Sequence, residues 1–157
     1  MVSMRVRNLK NLPVFCTATA QIVGRVERGV IGDDFTLAYV IVELPEGEKK
    51  LVLPADIKLG EEALIIDSAD GMKSYLYGEE LSIYSKKIGD CIYNLQGQEL
   101  GIVSDFVITS DLTVQAVEVS GGVLQDLLNG RNCVPVQEIA WKSIYTGVVD
   151  QEGSKVQ

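Results

Sequence analysis

Hydrophobic residues in this chain fall in short runs rich in valine and isoleucine, closed by glycine, asparagine, aspartate or proline. Runs of this length and β-branched character predict strands joined by tight turns. The clearest stretch begins at Cys91-Ile92-Tyr93, a short strand, and Asn94–Gln98 supplies the turn chemistry of a hairpin. Leu100–Thr109 follows as a longer strand with Gly101 inside it. A glycine there marks a bulge or a close backbone approach. Ser110-Asp111 makes the next turn, and Leu112–Val119 is again a strand. It is apolar on both parities near its ends, as expected of a strand that curls through a barrel and buries opposite faces along its length. Cys133–Val136 precedes a tight turn, Val136–Ile139, and a last strand, Ser143–Val149.

The first half repeats this order. Shifted by 77 residues, Val14–Val42 lies over Cys91–Val119, with Gly24 on Gly101, Asp34 on Asp111, Thr36 on Thr113, and Val40 and Val42 on Val117 and Val119. After a five-residue insertion the offset becomes 82, and Val52 meets Val134 while Ile57 meets Ile139. The first-half strands are then Phe35–Leu44, Leu51–Pro54 and Ala63–Ile66. Proline in Leu51–Pro54 and in Cys133–Val136 indicates an edge position or a strand end.

Internal repetition of this kind decides architecture before any local signal does. The expected fold is all-β: two tandem small antiparallel β-barrels with little helix, covering residues 4–67 and 84–150. A short ordered linker, 68–83, joins them, and residues 151–157 form a tail. The linker contains Tyr75, Leu76 and Tyr77, which are costly to leave wet.

One helical pattern stands out. Val123, Leu124, Leu127 and Leu128 share one face of a short helix within Gly122–Gly130, in the part of the second repeat that the first lacks. Two readings stay open: a lid over an open barrel end, or an apolar knob that faces a partner. The aromatics after residue 74, with Trp141 and Tyr145 among them, read as packing groups or as anchors of a binding surface.

The net charge of −8 over 157 residues disfavours direct nucleic-acid binding, because an acidic surface repels phosphate. Arg5, Arg7 and Lys10 are the one basic cluster and read as a solvated leader to the first strand. No stretch approaches the ~20 apolar residues that span a bilayer, and the N-terminus has no continuous apolar core of a secretory signal. The three cysteines, Cys16, Cys91 and Cys133, fit free buried thiols in a reducing cytosol, so a cytoplasmic location is expected.

Chemistry is sparse. The chain has no histidine, which removes the commonest general base and most transition-metal sites. Ser104-Asp105 and Ser110-Asp111 read as strand and turn caps, and the acidic pairs Asp33-Asp34, Glu61-Glu62 and Glu79-Glu80 as solvated turns without calcium-loop spacing. No cofactor, metal or catalytic residue is expected.

The segment Lys87-Ile88-Gly89-Asp90, Leu100-Gly101-Ile102-Val103-Ser104-Asp105, Thr113–Val119, Cys133-Val134-Pro135-Val136 and Ile139 resembles the PRC-barrel superfamily. The first repeat resembles it less: Pro13-Val14 stands where Gly89-Asp90 would be, and Arg28 replaces Asp105. The resemblance implies a docking module. The family supplies the cytoplasmic domain of the photosynthetic reaction centre H subunit and the C-terminal domain of a ribosome maturation factor. The expected function is therefore a non-enzymatic adaptor or assembly module with a protein partner, and Val123, Leu124, Leu127 and Leu128 are its candidate contact. The alternatives are a ribosome-maturation accessory acting through a ribosomal protein, and a small-ligand binder in a cleft between barrels. Open barrel edges also make a homodimer an expected assembly.

Overall fold

The computed structural model describes residues 3–75, 83–121, 132–141 and 146–149. The chain forms two compact units: Met1–Ile83 with Ile108–Thr113, and Tyr84–Val107 with Val114–Gln157. Both are β structures. Among the described residues the one α-helix is α1, Ile83–Lys87, beside a few 3-10 turns.

The first unit holds β1 (Ser3–Arg5), β2 (Pro13–Cys16), β3 (Gln21–Ile31), β4 (Leu37–Glu43), β5 (Lys49–Val52), β6 (Lys58–Leu59), β7 (Leu64–Ile66) and β8 (Met72–Ser74). Seven of these make a sheet in the order β6-β7-β2-β3-β4-β5-β8. The second unit holds β9 (Cys91–Asn94), β10 (Glu99–Thr109), β11 (Val114–Ser120), β12 (Asn132–Pro135), β13 (Ile139–Trp141) and β14 (Thr146–Val149). Its path, β13-β14-β9-β10-β11-β12, repeats the β6-β7-β2-β3-β4-β5 part of the first sheet. The all-β, barrel-like architecture read from the hydrophobic pattern is thus present.

Pairing is not antiparallel throughout. β2 runs parallel to β7, and β9 parallel to β14, while β2–β3, β3–β4, β4–β5, β6–β7, β9–β10, β11–β12 and β13–β14 are antiparallel. The reason is the route of the chain. After β5 a 3-10 turn at Pro54–Asp56 sends it across to the far side of β2, and the β6–β7 hairpin reverses it once more. Parallel neighbours require such a long crossover. The turn after β12, Val136–Glu138, does the same in the second unit.

The structure also corrects the alignment of the first strands. Val14 pairs with Gly24, and Ile92 pairs with Gly101, so Val14 corresponds to Ile92 and the offset in this strand is 78. The second hairpin is one residue shorter than the first. A one-residue slip flips every side chain to the other face. Burial agrees: Val14 and Ile92 are both fully buried, whereas Cys91, the partner assigned by identity alone, is only half-buried.

Through β3 and β4 the offset of 77 holds, and the burial patterns of β4 and β11 agree at all but the last residue. Val40, Ile41 and Val42 are all inaccessible, as are Val117, Glu118 and Val119. Both faces of the strand are covered there, as the mixed parity predicted. Burying one such aliphatic side chain contributes roughly 1.5–3 kcal/mol. Phe106, also fully buried, meets Tyr84 edge-to-face at 5.1 Å within the second unit.

Two segments differ from expectation. The basic leader is not a solvated arm: Val6 and Leu9 are buried in the core, although Arg7 and Lys10 are exposed. The start of the expected linker belongs to the first sheet, because Met72–Ser74 pairs with β5 as β8. The first unit also includes Ile108–Thr113, where Thr113 forms an isolated antiparallel bridge with Thr36 and the Leu37 N–H donates to the Leu112 carbonyl at 2.8 Å.

Candidate interaction surfaces

The outward side of the β9–β10 hairpin is built from β9 upward. Ile92 and Asn94 point into the second unit, so Cys91 and Tyr93 face out. Opposite Cys91 stands Ile102, which is 41% exposed. Leu95 in the hairpin turn is 62% exposed and Ile88, just before β9, is 38% exposed. In the first unit the position of Ile102 is Arg25, whose guanidinium donates to the Asn11 carbonyl at 2.9 Å. At this position the second unit presents an apolar side chain where the first has a cation bonded to its own backbone.

This hairpin is held stiffly. Asn94 Oδ1 accepts from the N–H groups of Gln96 (3.0 Å) and Gln98 (2.9 Å), and its Nδ2 donates to Gln98 Oε1 at 3.0 Å. The Gly89 N–H donates to the Val103 carbonyl and the Val103 N–H to the Asp90 carbonyl, both at 2.8 Å, which pins the Ile88 segment to β10. Lys87 and Asp90, both buried, pair at 3.8 Å. Burial pushes the Asp90 carboxyl above its ordinary range, and the Lys87 ammonium opposes that shift. Apolar groups fixed in place lose little entropy when a partner covers them.

Inside the second unit lies an acidic pair with no counterpart in the first. Ser104, Asp105 and Glu118 occupy the places of Glu27, Arg28 and Ile41. In the first unit Glu27 pairs with Lys49 and, at 4.0 Å, with Arg28, all partly exposed. In the second, Asp105 and Glu118 are fully buried. Ser104 Oγ donates to Glu118 Oε1 at 3.0 Å, and Asp105 Oδ1 accepts from the Phe106 N–H at 2.8 Å. Buried carboxylates require such partners. Ser104-Asp105 is therefore an interior element of β10 and not the strand cap that the sequence indicated. Asp34, by contrast, does cap its turn, accepting from the Thr36 hydroxyl (2.8 Å) and N–H (3.1 Å).

A cleft of about 370 Å³ opens in the first unit between Asp56, Asp67, Ser68, Asp70 and Lys73. Its wall is polar, and Ser68 Oγ accepts from the Asp70 N–H at 3.1 Å. Behind it, the buried Cys16 thiol donates to the Asp67 carbonyl at 3.7 Å. The Thr19 hydroxyl lowers the pKa of that thiol, helped by the backbone N–H groups of Thr19, Ala18 and Ala69 and opposed by burial. Burial and the Glu99 carboxylate raise that of Cys91. None of the three cysteines forms a disulfide; only Cys16 is buried, while Cys91 is intermediate and Cys133 exposed. Among the described residues no three His, Cys, Asp or Glu side chains are grouped to hold a metal ion. Among them, too, no helix is long and apolar enough to cross a membrane.

The sequence-predicted contact residues Val123, Leu124, Leu127 and Leu128 lie outside the described residues. The signals missed in sequence were Ile102, whose outward orientation depends on the bulge between Glu99 and Gly101, and Leu95, which the hairpin turn exposes.

A curled sheet of this strand order, carrying a bulged glycine in its longest strand, defines a small barrel domain. Residues 1–73 match the family model of the PRC-barrel domain. The match spans the first unit's strands into β8, although the residues with the stronger resemblance lie in the second repeat. No curated protein matches the chain.

Proposed function

We propose that the chain is a tandem PRC-barrel protein that serves as a non-enzymatic adaptor or assembly module, docking a protein partner on its second barrel. The second unit's membership rests on its strand order, which repeats that of the matched unit, and on the paired bulges at Gly24 and Gly101. One observation carries the docking assignment. Of the five large hydrophobics exposed among the described residues, Ile88, Leu95 and Ile102 belong to one short stretch around the β9–β10 hairpin. Exposed apolar groups gathered in this way mark interaction sites more often than singly scattered ones do. The quartet Val123, Leu124, Leu127 and Leu128 is a second arm of the same proposal.

The test is affinity capture from the native host with wild type, Leu95→Asp plus Ile102→Asp, and Leu124→Asp plus Leu128→Asp. We expect the first double variant to lose a specific partner by at least about tenfold while its unfolding midpoint stays within about 0.5 kcal/mol of wild type. Full retention of every partner by both folded variants removes the assignment.

A further inference from the structure

The first unit carries an apolar face at the place in its sheet that corresponds to the face around Ile102. Alternation along β2 and β7 buries Val14, Cys16, Leu64 and Ile66 and turns Phe15 and Ile65 to the outer side. Register then sets one row across four strands: Lys58 opposite Ile65, Ile65 beside Phe15, and Phe15 opposite Ile22. Ile22 is 51% exposed, Phe15 and Ile65 are half-buried, and Lys58 is exposed. The second unit has the same register. Tyr93 is opposite Glu99 as Phe15 is opposite Ile22, and Cys91 is opposite Ile102 as Pro13 is opposite Arg25.

The two faces are alike in apolar content and unlike in charge. At the two equivalent positions of the long strand, the first unit has Ile22 and Arg25 and the second has Glu99 and Ile102. The first face thus flanks its isoleucines with two exposed cations, Arg25 and Lys58, although Glu43 stands opposite Arg25 on β4. The second sets an acid, Glu99, beside its apolar groups. Of the five large hydrophobics exposed among the described residues, four belong to these two faces and only Leu53 lies elsewhere. We propose that the occupant of the second unit's docking face is the first unit of another copy of this chain. Ile22, Phe15 and Ile65 then cover Ile102, Leu95 and Ile88, and Glu99 meets the cations of the other face. This rests on the docking reading above and names its partner. In a chain of net charge −8, two like faces would bring Glu99 against Glu99, whereas unlike faces bring opposite charges together. A contact between unlike faces is heterologous, so a pair keeps one face of each kind available and further copies add.

Sedimentation velocity of the full chain over roughly a hundredfold range of concentration is the test. Wild type is expected to grow with concentration beyond two chains. Ile22→Asp and Ile102→Asp each remove one face, and each alone is expected to stay monomeric. Their equimolar mixture is expected to form a dimer and nothing larger, because one intact face of each kind remains. Glu99→Lys leaves both sets of apolar groups in place and is expected to weaken wild-type association about tenfold, which keeps the test decisive if an isoleucine variant does not fold. A wild type that stays monomeric overturns the inference, as does Ile22→Asp or Ile102→Asp that associates like wild type, or unchanged association in Glu99→Lys. If wild type is monomeric while Leu95→Asp plus Ile102→Asp still loses a foreign partner in the capture experiment, this inference falls alone and the docking face stands. If wild type is monomeric and every partner is retained, both fall.

Discussion

Gly24 and Gly101 are the two positions where one added methyl group does most damage. A Cβ on Gly24 would lie 2.6 Å from the Glu43 carbonyl oxygen, and one on Gly101 would lie 2.5 Å from Val119 Cγ1 and 2.7 Å from the Ser120 carbonyl. Gly101 also has φ of +152°, which a side chain would strain. The atoms in the way are largely backbone of the neighbouring strand and cannot step aside. Gly24→Ala and Gly101→Ala should each cost about 3 kcal/mol in urea unfolding. A loss under about 0.5 kcal/mol would show that the bulge does not need its glycine.

Asp34 makes a different kind of residue-scale prediction. The Thr36 hydroxyl and N–H hold its carboxyl below the ordinary aspartate range. A carboxyl depressed in the folded state contributes stability that is fully present above its unfolded pKa of about 3.9 and is lost as pH falls through the folded value. The gap in urea midpoint between wild type and Asp34→Ala should therefore be open at pH 7 and narrow toward pH 2. A gap independent of pH would mean that the charge of Asp34 does nothing for the turn.

At the scale of elements, the two β-hairpins at the start of each sheet show how far local chemistry reaches. Ala20 stands just before β3 and Gly97 two residues before β10, with φ of +56° and +78°. That left-handed position closes a short hairpin loop, and alanine occupies it at a cost. Nothing lies within 4 Å of a Cβ at Gly97, so the two positions differ in backbone preference and not in packing. Ala20→Gly should raise stability by about 0.5–1 kcal/mol, and Gly97→Ala should lower it by a similar amount. Equal unfolding midpoints across both pairs would refute this. The same hairpins explain why alignment by identity failed in their first strands. Letters match best at 77, but hydrogen-bond register, set by a loop one residue shorter, puts Ile92 and not Cys91 in the place of Val14. The turns between the long strands agree in full: Phe35 and Leu112 both take a left-handed φ, +63° and +64°, and both donate across the turn, to Gly32 and Thr109. Here Asp33-Asp34 and Ser110-Asp111 were legible in the sequence because turn chemistry is local.

For the whole molecule, the composition of the first unit matters most. It takes Ile108–Thr113 from the second repeat, and the Leu37 N–H has its acceptor there. Residues 1–83 expressed alone should unfold at lower urea than the same unit in the full chain, with faster exchange at the Leu37 amide. Identical midpoints would show that Ile108–Thr113 adds nothing to it. By itself the sequence determined the β class, the repeat, the order of strands and turns, and the two bulged glycines, since each follows from short-range pattern and steric need. Only the tertiary structure decided the parallel pairings, the strand made from Met72–Ser74, the burial of Asp105 and Glu118, and the outward turn of Ile102. These depend on which distant segment arrives beside a strand and on which face, and no single run of residues carries that information.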